Sequence, residues 1–248
     1  MNLSWMLPAR EGIPVLMYHK VWPGINDHLT ITPEHLRAQW TALKDAGYQS
    51  LSITEYLDIA SGKQEAPPKA VLITFDDGYR NNFTYAYPLL KEFGWKATFF
   101  IIANTLDILV KEKAEQEQKM SVAELLQMDP AIVQLGIHGY EHLNMGRATM
   151  KEMETELADS IKAFADSGLP FHKVFAYPYG ARSQDKQVLK KLKERMEEVG
   201  YVAAFRIGNR PARVPAPDIF EIKRIDIRGT DTLNEFKTKL KKGKLKPF

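Results

Sequence analysis

The sequence predicts an α/β protein, a single distorted (β/α) barrel, because of three observations. Short apolar segments of β type recur along the 248 residues, amphipathic helical patterns lie between them, and candidate catalytic residues directly follow several segments. Strands alternating with helices at this spacing indicate βαβ units and hence a parallel sheet. The length suits one barrel or two small domains. Because no segment resembles a domain boundary, we expect one domain over 1–248.

Seven or eight strands are expected from these apolar segments. The candidates are residues 13–18, 48–53, 70–75, 97–102, 132–137, 173–177, 201–205 and 221–227. Most of them are apolar on both faces, which is typical of parallel strands covered by helices. The pattern therefore favours a buried parallel sheet over an antiparallel sheet with one solvated face.

The helical patterns between the strands have recognisable ends. Thr32 suits an N-cap with Pro33 at the first helical position, and Gly47 ends that helix. Further helices are predicted in "YAYPLLKEFG", "SVAELLQM", "MKEMETELADSIKAFADSG" and "DKQVLKKLKERMEEVG". Residues 111–119 form a polar insertion, predicted as a solvated helix or an excursion loop. The proline-rich residues 208–218 are predicted as a loop.

Composition excludes several classes of protein. The chain has no cysteine, so disulfides and thiolate metal sites are impossible, and a metal would need His, Asp or Glu ligands. No basic stripe interleaved with aromatic residues supports nucleic-acid binding. No segment approaches the ~20 apolar residues of a transmembrane helix. Residues 1–10 lack the features of a signal peptide, so the localisation is either cytoplasmic or that of an exported protein whose leader was removed.

The net charge of +3 is unevenly distributed, because the Lys-rich tail, residues 237–248, carries six lysines and no acidic residue. The rest of the chain is therefore slightly acidic. A basic tail could contact a membrane surface or an acidic polymer, but such runs are usually solvated ends. We expect a solvated end here.

Two groups of polar residues directly follow candidate strands. Asp76 and Asp77 follow residues 70–75, and in isolation "DDG" is more often a turn than a site. His138 and His142 follow residues 132–137, and on a helical turn their spacing would place both imidazoles on one face, able to bind one ion. Each group alone is weak evidence.

The position of these residues relative to the strands strengthens the prediction. His19 follows the first candidate strand, and "YPYG" ends the segment 173–177. In a parallel barrel the carboxyl ends of all strands lie on one face, where catalytic groups gather. Unrelated turn residues would have no reason to coincide with histidines at strand ends.

The motifs "TFDDG", "HGYEH" and "FAYPYG" resemble the first three motifs of the polysaccharide deacetylases, the NodB-like carbohydrate esterase family 4. The opening "IPVLMYHKV" is similar to the branch of poly-N-acetylglucosamine deacetylases, in which the motif order is permuted. The resemblance spans roughly residues 13 to 240 and implies a NodB-like barrel of seven strands.

The resemblance implies specific roles. Asp77, His138 and His142 would bind one divalent metal, with zinc the first expectation and cobalt, nickel or iron as alternatives. Asp76 would be the general base, and His19 would donate a proton to the departing amine. Two histidines and one carboxylate also leave coordination positions open, as a catalytic metal site requires. A backbone N–H of the "YPYG" turn, that of Tyr179, would bind the carbonyl oxygen.

Two departures from the family pattern affect these roles. Ala176 stands where many members have the arginine that orients the base, and Arg224 or, less favoured, Arg206 could replace it. No histidine follows His172, so the C-terminal histidine motif is absent. This absence favours His19 as the proton donor, since the departing amine needs one.

Several residues near the motifs are candidates for binding the substrate. Pro178, Tyr179 and Tyr140 are candidate substrate-binding residues. The rings of Tyr140, Trp22 and Tyr79 could stack on sugars or equally pack in the core or at the rim. The predicted function is metal-dependent hydrolysis of linear amide C–N bonds, removing N-acetyl groups from amino-sugar polymers or oligosaccharides. The alternatives are an esterase or amidase on another acetylated or small amide substrate, and a catalytically retired carbohydrate-binding protein. The oligomeric state cannot be read from the sequence.

Overall fold

The computed structural model describes residues 11–106 and 114–243. The strands are β1 (Val15–Tyr18), β2 (Lys20–Val21), β3 (Thr30–Ile31), β4 (Gln49–Leu51), β5 (Ala70–Phe75), β6 (Ala97–Ile101), β7 (Val133–Ile137), β8 (Val174–Ala176), β9 (Ala203–Ile207) and β10 (Ile222–Asp226). The helices are α1 (Pro33–Asp45), α2 (Ile53–Ala60), α3 (Tyr87–Phe93), α4 (Val122–Leu126), α5 (Met150–Ser167), α6 (Lys186–Glu198) and α7 (Leu233–Lys242). Every candidate strand segment contains or overlaps a strand.

Seven parallel strands close into a barrel, which confirms the predicted fold. The order around it is β1, β10, β9, β8, β7, β6 and β5, and pairing of Leu16 in β1 with Ile73 in β5 closes the ring. The eighth candidate strand, β4, lies outside the ring. It pairs with the first half of β5, Leu51 opposite Leu72, along the edge where β6 joins the second half. The short strands β2 and β3 form a separate parallel pair.

The barrel interior is filled by side chains, so the barrel is not a channel. Phe100 of β6 and Phe205 of β9 approach with ring centroids 5.5 Å apart, although two strands separate them in the ring. Tyr56 of α2 contacts Phe205 at 5.8 Å, so α2 packs against this interior cluster. Because strand residues alternate in direction, Asp76 and Arg224 also point inward, two residues beyond Thr74 and Ile222.

The larger apolar cluster lies between the strands and the surrounding helices. Leu16, Ile73 and Phe99 belong to it, together with Trp40 of α1 and Leu157 of α5. The predicted start of α1 is also observed, since the Thr32 side chain accepts a hydrogen bond from the His35 N–H. No helix in the described ranges is long and apolar enough to cross a membrane.

The expectation of a solvated Lys-rich tail is wrong for the described part of it. Helix α7 runs through it and buries Phe236 and Leu240, which lie four residues apart and therefore on one helix face. Lys239 is also buried, and its Nζ donates to Asp231 Oδ2 at 2.5 Å and to the Asp226 carbonyl at 2.8 Å. Residues 244–248 of the tail lie outside the described residues.

The two predicted loops have different outcomes. Residues 208–218 form a loop, as predicted, with a cis Val214–Pro215 peptide bond. The insertion at 111–119 is described from residue 114 onward. That part packs on the segment after β5, where the Arg80 N–H donates to the Gln118 carbonyl at 2.8 Å, and on β2, where Lys20 Nζ lies 2.6 Å from Glu117 Oε1. Residues 1–10, on which the signal-peptide prediction rests, are outside the described residues.

Candidate active site

The predicted site residues converge at the carboxyl ends of the barrel strands. Asp76 and Asp77 follow β5, His138 follows β7, the turn 178–180 follows β8 and His19 follows β1. Parallel strands point these ends to one face of the barrel. Residues more than 120 positions apart in the sequence therefore meet in one mouth.

Asp77, His138 and His142 form a compact set of possible metal ligands. One ligand atom from each lies within 4.8 Å of the others. Asp77 Oδ1 is 3.4 Å from His138 Nε2 and 3.3 Å from His142 Nε2. Ligands held about 2.0–2.1 Å from a tetrahedral zinc ion are separated by about 3.3 Å. The two distances from Asp77 Oδ1 to the histidine nitrogens match this separation.

A backbone contact fixes which nitrogen of His138 faces this set. His138 Nδ1 lies 2.8 Å from the carbonyl oxygen of Ala176. Since a carbonyl only accepts hydrogen bonds, Nδ1 must carry the proton, and a neutral ring presents its lone pair at Nε2. That lone pair faces Asp77 Oδ1, which is buried without a hydrogen-bond partner among the described residues. Two electron-rich atoms facing each other are favourable when a cation lies between them.

The electrostatics of the set also require positive charge. Burial alone would raise the pKa of Asp77, but contacts with His138 and His142 hold it well below its ordinary value. Burial alone would lower the pKa of His138, but the charges of Asp76 and Asp77 outweigh it and raise that pKa. A divalent cation or a proton would satisfy the excess of negative charge.

Backbone conformation, rather than strand alternation, separates the two aspartates. Asp76 continues the ladder, its N–H bonded to the Tyr18 carbonyl at 2.9 Å, whereas Asp77 has a φ of 70°. Strand alternation by itself would point the two side chains to opposite faces, but the left-handed backbone at Asp77 changes the direction of its side chain. Both approach His138 Nε2, Asp76 Oδ2 at 3.7 Å and Asp77 Oδ1 at 3.4 Å. Left-handed backbone at non-glycine residues is costly and is concentrated at functional sites.

Asp76 forms a buried bidentate ion pair with Arg224. Arg224 Nη1 and Nη2 donate to the two carboxylate oxygens at 2.6 and 2.7 Å, and the two residues are 0% and 1% exposed. Burial would raise the pKa of Asp76, but the charges of Arg224 and His138 outweigh burial and lower it. Asp76 is therefore ionised at neutral pH and held in one orientation. Arg206, the other candidate, instead pairs with Glu221 at 2.7 Å.

His19 lies at the same mouth, partly exposed, and its buried Nδ1 has no hydrogen-bond partner among the described residues. Burial lowers the pKa of His19 below its ordinary value, and the charges of Asp76 and Asp77 oppose this shift without cancelling it. A lowered pKa makes the protonated ring a stronger acid.

The turn after β8 presents Tyr179 to the mouth. Pro178 is buried, while Tyr179 is 63% exposed, has a φ of 58°, and stands 4.5 Å from the His142 ring, centroid to centroid. No acceptor within residues 11–106 and 114–243 takes the Tyr179 N–H. That N–H is therefore free to bind an oxygen atom of a substrate.

The other aromatic candidates are more enclosed. Tyr79 is 7% exposed and has the Lys119 ammonium 3.4 Å from its ring centroid, which leaves no open face for a sugar. Trp22 packs edge to face on Tyr85 at 6.2 Å. Tyr140 is partly buried against the larger apolar cluster. Tyr179 is thus the most exposed aromatic ring among the candidates.

Some contributors to the site escaped the sequence analysis. Thr74 Oγ1 lies 3.3 Å from Arg224 Nη1, and the Phe100 ring lies 5.3 Å from the guanidinium carbon. The Ala176 carbonyl contributes through the backbone, which no residue pattern reveals. The inward alternation of Thr74 with Asp76 could have identified the threonine, because both residues point into the barrel.

The chain is similar to known proteins over most of its length. The model of the polysaccharide deacetylase family matches residues 63–197. YxkH of Bacillus subtilis (strain 168), which carries this family's name, is 31% identical over 186 residues, 73% of this chain and 62% of that protein. The poly-beta-1,6-N-acetyl-D-glucosamine N-deacetylase of Escherichia coli (strain K12) is 32% identical over 99 residues, 39% of this chain and 15% of its own length. The chain thus spans less than two thirds of the length of either relative.

A solved structure extends the comparison to the fold. BC0361, a polysaccharide deacetylase from Bacillus cereus, is similar with a TM-score of 0.71 and 26% identity, over 93% of this chain and 69% of that one. The matched family segment contains both aspartates, both histidines of the ligand set and the turn after β8. The matched segment covers more than half of the sequence. The seven-stranded barrel is the fold expected for this family. The chain belongs to the polysaccharide deacetylase family.

Proposed function

We propose that this protein is a metal-dependent deacetylase that removes N-acetyl groups from amino-sugar polymers or oligosaccharides. One observation carries the proposal: three ligand atoms of Asp77, His138 and His142 converge within 4.8 Å, and the spare carboxylate of Asp76 lies beside them, held by Arg224. Metal-assisted hydrolysis needs this combination of a ligand set and a separate base.

The ligand set would hold the metal ion that activates water. A divalent cation bound there would lower the pKa of a water molecule from ~15.7 to roughly 7 and polarise a carbonyl group. Imidazole and carboxylate ligands suit zinc, and they also suit cobalt, nickel or iron. Asp76 is ionised, so it can accept the proton of the attacking water. Arg224 keeps both oxygens of Asp76 oriented during this transfer.

Two further groups would act on the substrate. The unpaired Tyr179 N–H would donate to the carbonyl oxygen as negative charge develops on it. His19 would donate a proton to the nitrogen as the C–N bond breaks, so that the sugar leaves as a neutral amine. The exposed ring of Tyr179 would lie beside the sugar. Acetate and the free amino sugar are the products.

The substrate class rests on the chemistry of the site and on the family. An E. coli relative is named for poly-beta-1,6-N-acetyl-D-glucosamine, which makes β-linked N-acetylglucosamine oligomers the first substrates to test. A carbohydrate-binding protein without catalysis is disfavoured, because binding alone gives no reason to bury Asp76 beside the ligand set.

Acetate release tests the proposal. Wild type and Asp76→Asn would be compared on N-acetylglucosamine oligomers, O-acetyl sugar esters and small amides, each protein loaded with a measured amount of metal. Loss of a general base typically costs about 10²–10⁴-fold in rate, so we expect that loss in Asp76→Asn with metal content unchanged. Equal activity of the two proteins, or no acetate from any substrate, would refute the mechanism. Preference for esters or small amides would move the function to the alternative substrate class.

Metal analysis tests the ligand set separately. Purified wild type should contain about one first-row divalent ion per chain, and His138→Ala should lose it. His172→Ala is the matched control, since His172 precedes β8 and lies outside the ligand set. A His138→Ala protein that keeps its metal would exclude this site.

A further inference from the structure

We propose that Glu156 is a positioning residue for the proposed metal site, acting through the backbone of the loop that joins its two histidines. This loop is residues 139–143, which directly follow His138 and include His142. The inference rests on the proposed function, because it concerns the geometry of the same ligand set. Within the described residues, the side-chain hydrogen bonds of Glu156 go to the loop backbone and not to Asp77, His138 or His142.

The Glu156 carboxylate binds three backbone N–H groups of this loop. Its Oε1 accepts from Tyr140 and Leu143 at 2.9 Å each and from Glu141 at 3.1 Å, and its Oε2 also accepts from Glu141 at 3.1 Å. Glu156 is 5% exposed and has no ion-pair partner in the described part of the chain. Its charge is therefore compensated by peptide N–H groups, in charge-assisted hydrogen bonds that are about twice as strong as neutral ones.

These bonds flank a strained metal ligand. His142 has a φ of 61°, in the left-handed region that is costly for a residue with a Cβ. Glu141 and Leu143, on either side of it, both donate to Glu156. Such a conformation persists only where several surrounding contacts hold the backbone in place. Glu156 supplies this constraint from the helix, at the 142–143 peptide that directly follows His142 and at the 140–141 peptide one residue before it.

Backbone hydrogen bonds also hold the opposite edge of the loop, and Gly139 packs closely against Glu156. The carbonyls of Gly139 and Tyr140 accept from the Ala103 and Asn104 N–H groups at 2.8 and 3.1 Å. Gly139 has a φ of 82°, and a Cβ there would lie 2.3 Å from Glu156 Oε1. Only glycine fits at this position, so loop and carboxylate are matched to each other.

The location of Glu156 on α5 argues against a purely structural role. The buried face of α5 consists of Met153, Glu156, Leu157, Ser160 and Phe164. An apolar residue at this central position would pack without burying a charge, which is costly unless fully hydrogen-bonded. The three loop N–H groups that Glu156 binds therefore explain why an acidic residue occupies this position. This signal, a glutamate in the apolar stripe of an amphipathic helix, was present in the sequence.

The test is the metal affinity and the cobalt spectrum of Glu156→Gln. Glutamine keeps one acceptor oxygen but points an NH₂ group at a backbone N–H. Loss of such a supporting contact typically weakens metal binding about 10–100-fold. We therefore expect a Kd for Co²⁺ raised at least about tenfold by this reasoning, and a changed absorption spectrum at saturating cobalt, because the His142 ring is displaced. Both would be measured well below the unfolding temperature.

Glu152→Gln is the matched control. Glu152 lies one turn earlier on α5, is exposed, and accepts from the Thr149 N–H at 2.7 Å in a capping box. This variant should lower the unfolding midpoint without changing the cobalt affinity or spectrum. If Glu156→Gln and Glu152→Gln both bind cobalt as wild type does, the positioning role is overturned. If wild type itself binds no metal, the proposed function fails as well.

Amide exchange of wild type tests the inference even if Glu156→Gln does not fold. In the metal-free protein the N–H groups of Tyr140, Glu141 and Leu143 should already be protected, because Glu156 holds them. Protection that develops only after metal is added would mean that the metal, not Glu156, orders the loop, and would overturn the proposal.

Discussion

Replacing Arg224 with methionine should expose how strongly the barrel interior depends on one ion pair. The change removes hydrogen bonds of 2.6 and 2.7 Å and leaves Asp76, 1% exposed, without its counter-charge. Removing one partner of a buried pair typically costs about 3–5 kcal/mol, out of a total of about 5–15 kcal/mol for a domain. The double variant Asp76→Asn/Arg224→Met should recover part of this loss, because no unpaired charge remains.

The same substitution should shift the pH dependence. In wild type the lowered pKa of Asp76 means that its ionisation stabilises the fold above its ordinary pKa of about 4, and that this contribution is lost as the pH falls through the lowered value. Without Arg224, burial dominates and the pKa of Asp76 rises. The acid limb of kcat/KM should then move to higher pH. The stability deficit of the variant should shrink as the pH falls.

Two assays and one control decide the question. Urea unfolding gives the free energy of unfolding, and acetate release between pH 4 and 9, a range of about five units around the ordinary pKa of histidine, gives the acid limb. Arg206→Met is the matched control, since Arg206 lies on the neighbouring strand and its partner Glu221 keeps Arg182 at 2.7 and 2.9 Å. If Arg224→Met shows the stability and the acid limb of Arg206→Met, Arg224 does not orient the base.

Two further outcomes follow from the site and from α7. His19→Gln should lower kcat by about 10²–10⁴-fold with metal affinity unchanged, as expected for loss of a proton donor; a full rate, or a loss no larger than in His172→Gln, would count against that role. Lys239→Met should lower the free energy of unfolding by about 3–5 kcal/mol, because it leaves Asp231 buried without its 2.5 Å partner. The exposed neighbour Lys241→Met should stay within about 0.5 kcal/mol of wild type, and equal effects in urea unfolding would show that the Lys239 pair contributes nothing.

Periodicity predicted the strands well because the hydrophobic pattern is local. Residues 70–75 read as a strand in the sequence and form β5 with the same bounds. Helix α2 was missed, although Ser52 and Glu55 form a capping box. The predicted strand 48–53 had already included Ser52, and an apolar run of that length does not by itself distinguish a strand from the start of a helix.

Pairing partners are not local, and there the prediction was incomplete. The segment around Leu51 is a strand by pattern, yet it lies outside the ring because β1 and β6 occupy the remaining positions along β5. The Lys-rich tail has the composition of a solvated end, yet Lys239 is buried since Asp231 and the Asp226 carbonyl accept from its Nζ. Composition cannot show which charges will find a partner.

The sequence by itself determined the parallel barrel, the location of the polar residues at strand ends and the family. These properties depend on local periodicity, on the handed geometry of βαβ units and on short motifs. Tertiary structure alone decided that Arg224 reaches Asp76 across 148 positions, that Asp77 turns toward two imidazoles through a left-handed backbone, and that Glu156 binds the loop between them. Each depends on distances between segments far apart in the chain, which only the closed barrel and its packed helices define.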